Sequence, residues 1–508
     1  MDAVRTEPAR LSARGSAPPP AGRGHGRGGR DLTQGPITRT LLLFSLPLLG
    51  GNALQSLNGT VNQIWVSHTL GETAITALGN ANVVMMLMMG AIFGVGMAAN
   101  ILVAQAVGAR DLPLVKRVMG SSTTFFVGLS VTIALLGGLL APTILDLMGT
   151  PAEARADAIV YLRIIFMALP FMNFFMFLQM AQRGAGDSVT PFWFLALAIG
   201  IDILFNPLLI MGVGPFPRLG IAGSATATLL GQSVSLLALI LWLYRRKSIL
   251  MLRRGDLHLF RPRLDIMTSL LGRGLPMGLQ MIIMSGAQVV MLGFVNRYGA
   301  LTSAAYSISM MITGYLQMPT MAIGGSVSSM AAQNIGARRW DRVAQVARSG
   351  VWSGLIVTGL LALLLYALND QVLSILLPAN SPAIPLAHHI NTRVLWGFVI
   401  FSVTFALSGV VRSTGAVWWP MAILVVSMVG VRIPFAALLS PRFGADAVWW
   451  SFPLGTATSA LLTSAYYLHG GWRRARMMRD EASAPTPIHA QADTEADAES
   501  TLAAAHTG

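Results

Sequence analysis

Twelve stretches of apolar sequence, each long enough for a membrane-crossing helix, constrain this chain more than any other feature. They run at about 40–66, 82–106, 120–144, 158–181, 190–213 and 221–244, then 267–295, 303–328, 349–369, 387–410, 417–439 and 446–468. A helix needs ~20 apolar residues to cross the hydrocarbon core of a bilayer. Polar, Gly-rich or Pro-rich connectors separate the stretches. Of the 508 residues, 54% are hydrophobic and 11% charged, whereas soluble domains carry about 25% charged residues. So much apolar surface calls for lipid as its solvent. The fold class expected is an all-α polytopic membrane protein with 12 transmembrane helices.

Orientation follows from lysine and arginine, which concentrate on the cytoplasmic side of membrane proteins. With the N-terminus inside, 28 of the 35 basic residues fall in the tails and the inner connectors. An even number of spans with both termini cytoplasmic accounts for this. The net charge of +14 is spread over connectors and tails rather than gathered on one face, which argues against a nucleic-acid partner. The chain has no cysteine, so disulfides, thiolate catalysis and cysteine metal sites are excluded. Residues 1–36, rich in Pro, Gly and Arg, lack the apolar run of a signal peptide and read as a disordered cytoplasmic tail. Residues 471–508 read as a second tail. The basic stretch 245–266 divides a first lobe (37–244) from a second (267–470). Ala- and Arg-rich, Lys-poor usage fits a bacterium, and the membrane expected is its inner (plasma) membrane.

The chain writes AQAVGAR at 104–110 and AQNIGAR at 332–338, after spans 2 and 8. Two further pairs keep the offset. SLPLL at 45–49 matches GLPMG at 274–278. Arg183, Gly186 and Pro191 match Arg412, Gly415 and Pro420. Three landmarks in register define a repeat of about 228 residues. Six spans per copy is an even number, so both copies enter from one side and a pseudo-two-fold runs along the membrane normal. Two six-helix lobes with a cavity between them suit a transporter. In each heptapeptide, Gly is expected to end the helix, with Arg at the carbonyl end of the helix dipole.

Ionisable groups inside a span are costly and mark functional sites. Of the 21 acidic residues, only Asp202 lies well inside one. Asn206, four residues on, shares its helical face. Pro207 removes an amide donor and frees a carbonyl one turn back. Together these form a candidate oxygen-rich site for H+ or Na+. The alternative is a structural Asp bonded to a neighbouring helix. Arg432, in the corresponding span of the second half, is expected to reach the outer interface rather than to pair with Asp202. Asn52, Gln55, Asn58 and Asn62 form an amide stripe on span 1, either lining a cavity or joining helices. Gln280 and Gln288 are weaker counterparts in span 7, and Pro47 is expected to bend span 1. The 28 methionines suit a permissive apolar pocket, although packing explains most of them.

No P-loop, HExxH or GxSxG is present, so neither ATP hydrolysis nor another enzyme activity is expected, and no cofactor or metal. The segments GPITRTLLLFSLPLLGGNALQSLNGTVNQIWVSHTLG, RGAGDSVTPFWF, FNPLLIMGVGPFPRLGIAGSATAT and AAQNIGARRWDRVAQVARSG resemble the multidrug and toxic compound extrusion (MATE) family, closest to its DinF-like branch. The resemblance spans about 37–470. It implies two six-helix lobes, alternating access, and antiport of cationic or amphipathic compounds against H+ or Na+. In that branch an Asp in span 1 and an Asp in span 5 hold the cation. Here the matching positions are Asn62 and Asn206, and Asp202 stands one turn before the latter. The span 5 pair is thus exchanged, and Met284 stands where another branch carries Glu. The expected partners are a small-molecule substrate and the lipid bilayer, with the protein a monomer. The competing functions are a lipid-linked saccharide flippase, which needs several basic residues in its cavity, and a non-transporting scaffold.

Overall fold

A computed structural model describes residues 29–70, 72–378 and 381–478. Among these the chain is helical throughout its regular structure, with no strand. The first six long helices are α1 (Ile37–Leu70), α2 (Glu72–Gly108), α3 (Leu112–Leu147), α4 (Ala152–Gly184), α5 (Val189–Met211) and α6 (Ile221–Arg245). The last six are α7 (Leu264–Asn296), α8 (Ala300–Gly336), α9 (Trp340–Ala367), α10 (Ala383–Arg412), α11 (Trp418–Phe443) and α12 (Asp446–His469). A short helix, Asn369–Leu376, joins α9 to α10, and α11 contains a π-helical turn at Val426–Arg432. The helix α1 continues through Pro47.

All twelve expected spans are therefore helices. Ten of them, among the described residues, are long and apolar enough to cross a membrane; α8 and α12 fall below that threshold. The reason is visible in their packing. Ser326, Ser328, Ser329, Gln333 and Asn334 of α8 are buried, as are Ser451, Thr456, Ser459 and Thr463 of α12. These helices spend their hydropathy on polar groups that neighbouring helices cover, and α8 packs on α1, α2, α9 and α10.

The doubled heptapeptides lie against each other. A Cβ on Gly108 would overlap the Gln333 carbonyl, and one on Gly336 would overlap that of Gln105. So the tail-side ends of α2 and α8 approach backbone to backbone, which only glycine permits. Each glutamine then reaches into the opposite half. Gln105 Nε2 donates to the Ser413 carbonyl at 2.6 Å, and Gln333 Nε2 donates to the Gly184 carbonyl at 2.8 Å. The exchange obeys the pseudo-two-fold expected from the repeat. Asn100 and Ser329, also repeat partners, are bonded at 3.3 Å between the same two helices.

The helices end at the expected glycines, but the left-handed turn falls two residues later. Gly108 and Gly336 are the last helical residues, and Arg110 and Arg338 themselves take the left-handed conformation, at φ 58° and 56°. The backbone N–H groups of Asp111 and Arg339 cap the carbonyls of Ala106 and Asn334. Glycine is needed here for proximity and arginine carries the turn.

Residues 29–36 and 471–478, expected as tail, are packed on this same end. Leu32 is buried, and its N–H donates to Gln333 Oε1 at 3.0 Å. Trp472 is buried, and its carbonyl accepts from Thr414 Oγ1 at 3.0 Å. Residues 1–28 and 479–508 lie outside the described residues. Between the lobes, a 3-10 turn (Arg254–Phe260) seats on α3, where Phe260 O accepts from Thr124 Oγ1 at 2.6 Å. Lys116 donates to Asp256 at 2.8 Å and holds that carboxyl below the usual carboxylate range.

The α2–α8 contact makes a stability prediction. Gly108→Ala forces the helices apart and is expected to cost on the order of 1–3 kcal/mol, as overpacking does. Thermal unfolding of the purified protein checks this, and an unchanged melting temperature would mean the two ends separate freely.

Candidate functional site

Three helices of the first lobe converge on Asp202. Glycines set their spacing. A Cβ on Gly223 would overlap the Leu209 carbonyl carbon, and one on Gly231 would meet the Ala198 carbonyl oxygen at 2.6 Å, so α6 lies directly on the backbone of α5. Gly50 and Gly51 of α1 similarly admit the Phe192 and Leu195 side chains of α5. With the axes this close, short polar side chains bridge the helices.

The bridges form two rungs, one helical turn apart. In the first, Asp202 Oδ2 accepts from Asn58 Nδ2 at 2.9 Å, and Asp202 Oδ1 accepts from Thr228 Oγ1 at 3.1 Å. In the second, Asn62 Oδ1 accepts from Asn206 Nδ2 at 3.0 Å and from Ser224 Oγ at 2.8 Å. The pairs 58/62, 202/206 and 224/228 each keep the i, i+4 spacing that puts two residues on one helical face. Asp202 is 4% exposed and Asn206 is 1% exposed. The two donors to Asp202 are neutral. Asn206 Oδ1 is buried and has no donor, so the second rung ends in an open acceptor beside the carboxyl.

The structure brings together Asp202, Asn206 and Asn62, the three residues grouped from the sequence, and adds Asn58, which the sequence reading had placed with the cavity-lining amides. Ser224 and Thr228 were not singled out in the sequence. Their signal was the 224/228 spacing inside the Gly223–Gly231 frame. Asn52 is half-buried and Gln55 exposed, and neither side chain has a hydrogen-bond partner among the described residues. The amide stripe of α1 is therefore split, with only its last two members in the ladder.

In the second lobe, Gln280 and Met284 line a cavity of about 90 Å³ enclosed by α2, α7, α8, α10, α11 and α12. Gln288 is exposed and does not line this cavity. Arg432 corrects an expectation. It does not reach the interface but is 4% exposed, within the π-helical turn, with its guanidinium 4.6 Å from the Phe452 ring centroid. The burial of Phe452, Trp449 and Tyr306 around it leaves no path outward for the side chain. It does not pair with Asp202, whose bonded partners are all in the first lobe.

An all-helical chain with ten helices, among the described residues, long and apolar enough to cross a membrane is the architecture of a polytopic membrane protein, and comparisons with known proteins say which kind. The MatE family model matches residues 47–208 and 276–438, one match to each half and 229 residues apart at their starts. The chain is 34% identical over 445 residues to the probable multidrug resistance protein YoeA of Bacillus subtilis (strain 168), covering 87% of this chain and 96% of that one. It is 22% identical over 428 residues to the multidrug export protein MepA of Staphylococcus aureus (strain MSSA476), covering 84% and 92%. A solved structure of an outward-facing multidrug resistance MATE family transporter of the MOP superfamily superposes with a TM-score of 0.81 at 21% identity, covering 88% and 99%. This chain belongs to the MatE family of multidrug efflux transporters.

The ladder makes a mutational prediction. Asn62→Asp keeps an acceptor for both Asn206 and Ser224, so the variant is expected to fold like wild type. Asn62→Leu strands both donors and is expected to cost roughly 1–3 kcal/mol for each. Expression level and thermal unfolding of the two variants check this, and equal behaviour would remove Asn62 from the network.

Proposed function

We propose that this chain is a secondary active antiporter. It exports small amphipathic or cationic compounds in exchange for H+ or Na+ by alternating access, across a bacterial inner membrane, with both termini cytoplasmic. Asp202 carries this reading. Its carboxyl is sunk between α1, α5 and α6 and meets only neutral donors. An isolated carboxylate taken out of water is expensive unless a proton or cation accompanies it. Arrival of that ion changes what Asn58 and Thr228 bond to. A change at one rung alters the packing of all three helices, because α6 lies on the backbone of α5 and α1 is packed on the Phe192 and Leu195 side chains of α5.

The closed α2–α8 end supports the same reading. That end carries the tails and the basic connectors, so the positive-inside bias makes it cytoplasmic. With it sealed, the lobes are free to part only on the outer side. Ion entry from outside then reaches Asp202 before the cycle turns. The names of the relatives, multidrug resistance and multidrug export, support a broad substrate class. In the Gln280 cavity Arg412 is the single basic residue of the lining, whereas the pyrophosphate of a flippase substrate calls for several cations.

In cells expressing the protein, ethidium efflux is expected to collapse with a protonophore or with removal of the Na+ gradient, whichever ion is used. Asp202→Asn is expected to abolish gradient-driven efflux while the protein is still produced and inserted. Undiminished efflux by that variant would take Asp202 out of the mechanism.

A further inference from the structure

The second lobe holds a site of opposite character to the Asp202 ladder. Its cavity is walled by five methionines, among them Met281 and Met284, together with Phe93 and Phe401. Thioethers and rings of this kind adapt to varied apolar shapes. At one side stands Arg412, the last residue of α10. Its Nη1 donates to Gln280 Oε1 at a long 3.4 Å, and its Nε has no partner. Three further polar atoms in the lining are buried and unpartnered: Gln280 Nε2, Thr404 Oγ1 and Ser459 Oγ. Gln280 is 8% exposed and Ser459 is 1% exposed. Buried polar groups normally have partners, so four orphans around one cavity are a built vacancy for a polar group.

The sign of that group follows from what surrounds it. From 264 to 470 the acidic residues are Asp265, Asp341, Asp370 and Asp446. Each stands in the first turn of its helix, away from the cavity. Asp370 and Asp446 already face His388 and His389. No carboxylate of the lobe neutralises Arg412. A guanidinium presents a planar fork of donors suited to a carboxylate. Gln280 Nε2 and the two hydroxyls add neutral donors.

We propose that this cavity binds an amphipathic carboxylate, with Arg412 and Gln280 holding the anionic head and the methionine wall holding the apolar part. The inference rests on the transporter reading and adds to its substrate class, beside cations such as ethidium, molecules that carry an anionic group, zwitterions included. It also divides labour between the lobes: an acid for the coupling ion in the first, a base for the substrate in the second.

The test is equilibrium binding of radiolabelled 4-phenylbutyrate and of 4-phenylbutylamine to the full-length protein in dodecyl maltoside. Wild type is expected to bind the carboxylate and to discriminate against the amine. Arg412→Gln is expected to weaken carboxylate binding roughly 30-fold or more, the scale of losing one partner of a desolvated charge pair. Thr404→Asp places an acid in the cavity with Arg412 intact, and is expected to abolish carboxylate binding without unfolding the protein. Equilibrium binding needs no ion gradient, so its outcome is read separately from the efflux assay on Asp202→Asn that tests ion coupling. Equal binding of acid and amine, or an Arg412→Gln variant that binds like wild type, would overturn it. So would displacement of 4-phenylbutyrate by phosphatidylglycerol but not by other soluble amphipathic carboxylates, since the site would then belong to a lipid head group.

Discussion

A polar side chain inside a membrane protein has no water to fall back on. Its partner must come from another helix, from the backbone, or from something that is bound. This requirement organises the molecule. Where partners are plentiful, polar groups act as locks: Gln105 and Gln333 each hold a carbonyl in the opposite half. Where partners nearly suffice, leaving only Asn206 Oδ1 without a donor, they make the Asp202 ladder. Where partners are missing, as around Arg412, the requirement passes to a ligand.

Glycine decides which of these outcomes is reached. Gly108 and Gly336 bring α2 and α8 together at one end, and Gly223 and Gly231 bring α6 onto α5. In lipid, close approach is a principal source of helix affinity, because there is no hydrophobic gain in leaving the tails. It also sets the reach of the side chains. Serine, threonine and asparagine bridge only helices that lie close together. The same glycines thus supply both the packing and the hydrogen bonds that depend on it.

The two lobes repeat one pattern, down to the paired Arg183 and Arg412, and differ in the ionisable residue of their fifth helix. Repeat positions match at the heptapeptides, at the left-handed Arg110 and Arg338, and at Gly186 and Gly415, which take φ of 90° and 99°. Asp202 on α5 and Arg432 on α11 occupy corresponding helices with opposite signs. The π-helical turn ending at Arg432 adds local width to α11, and the guanidinium lies over Phe452 instead of meeting a carboxylate. Pseudo-symmetry supplies two similar bundles, and the few ionisable residues make them different.

Hydropathy and basic connectors were enough to place twelve helices, because the bilayer fixes their length and their exterior. The i, i+4 spacings of 58/62 and 202/206 were enough to put each pair on one helical face, because a face is a local property, but not to join Asn58 to Asp202, which needs α1 beside α5. Ser224 and Thr228 were not legible in that way, since their role depends on which face of α6 lies on α5. Nor was the fate of Arg432, because sequence depth in a span does not tell whether a long side chain has a path to water. The heptapeptides announced a repeat but not that the two copies touch. Sequence by itself determined the helices, their repeat and the residue types available to each face. Tertiary structure decided which faces meet, since contact between helices is set by packing among residues hundreds of positions apart.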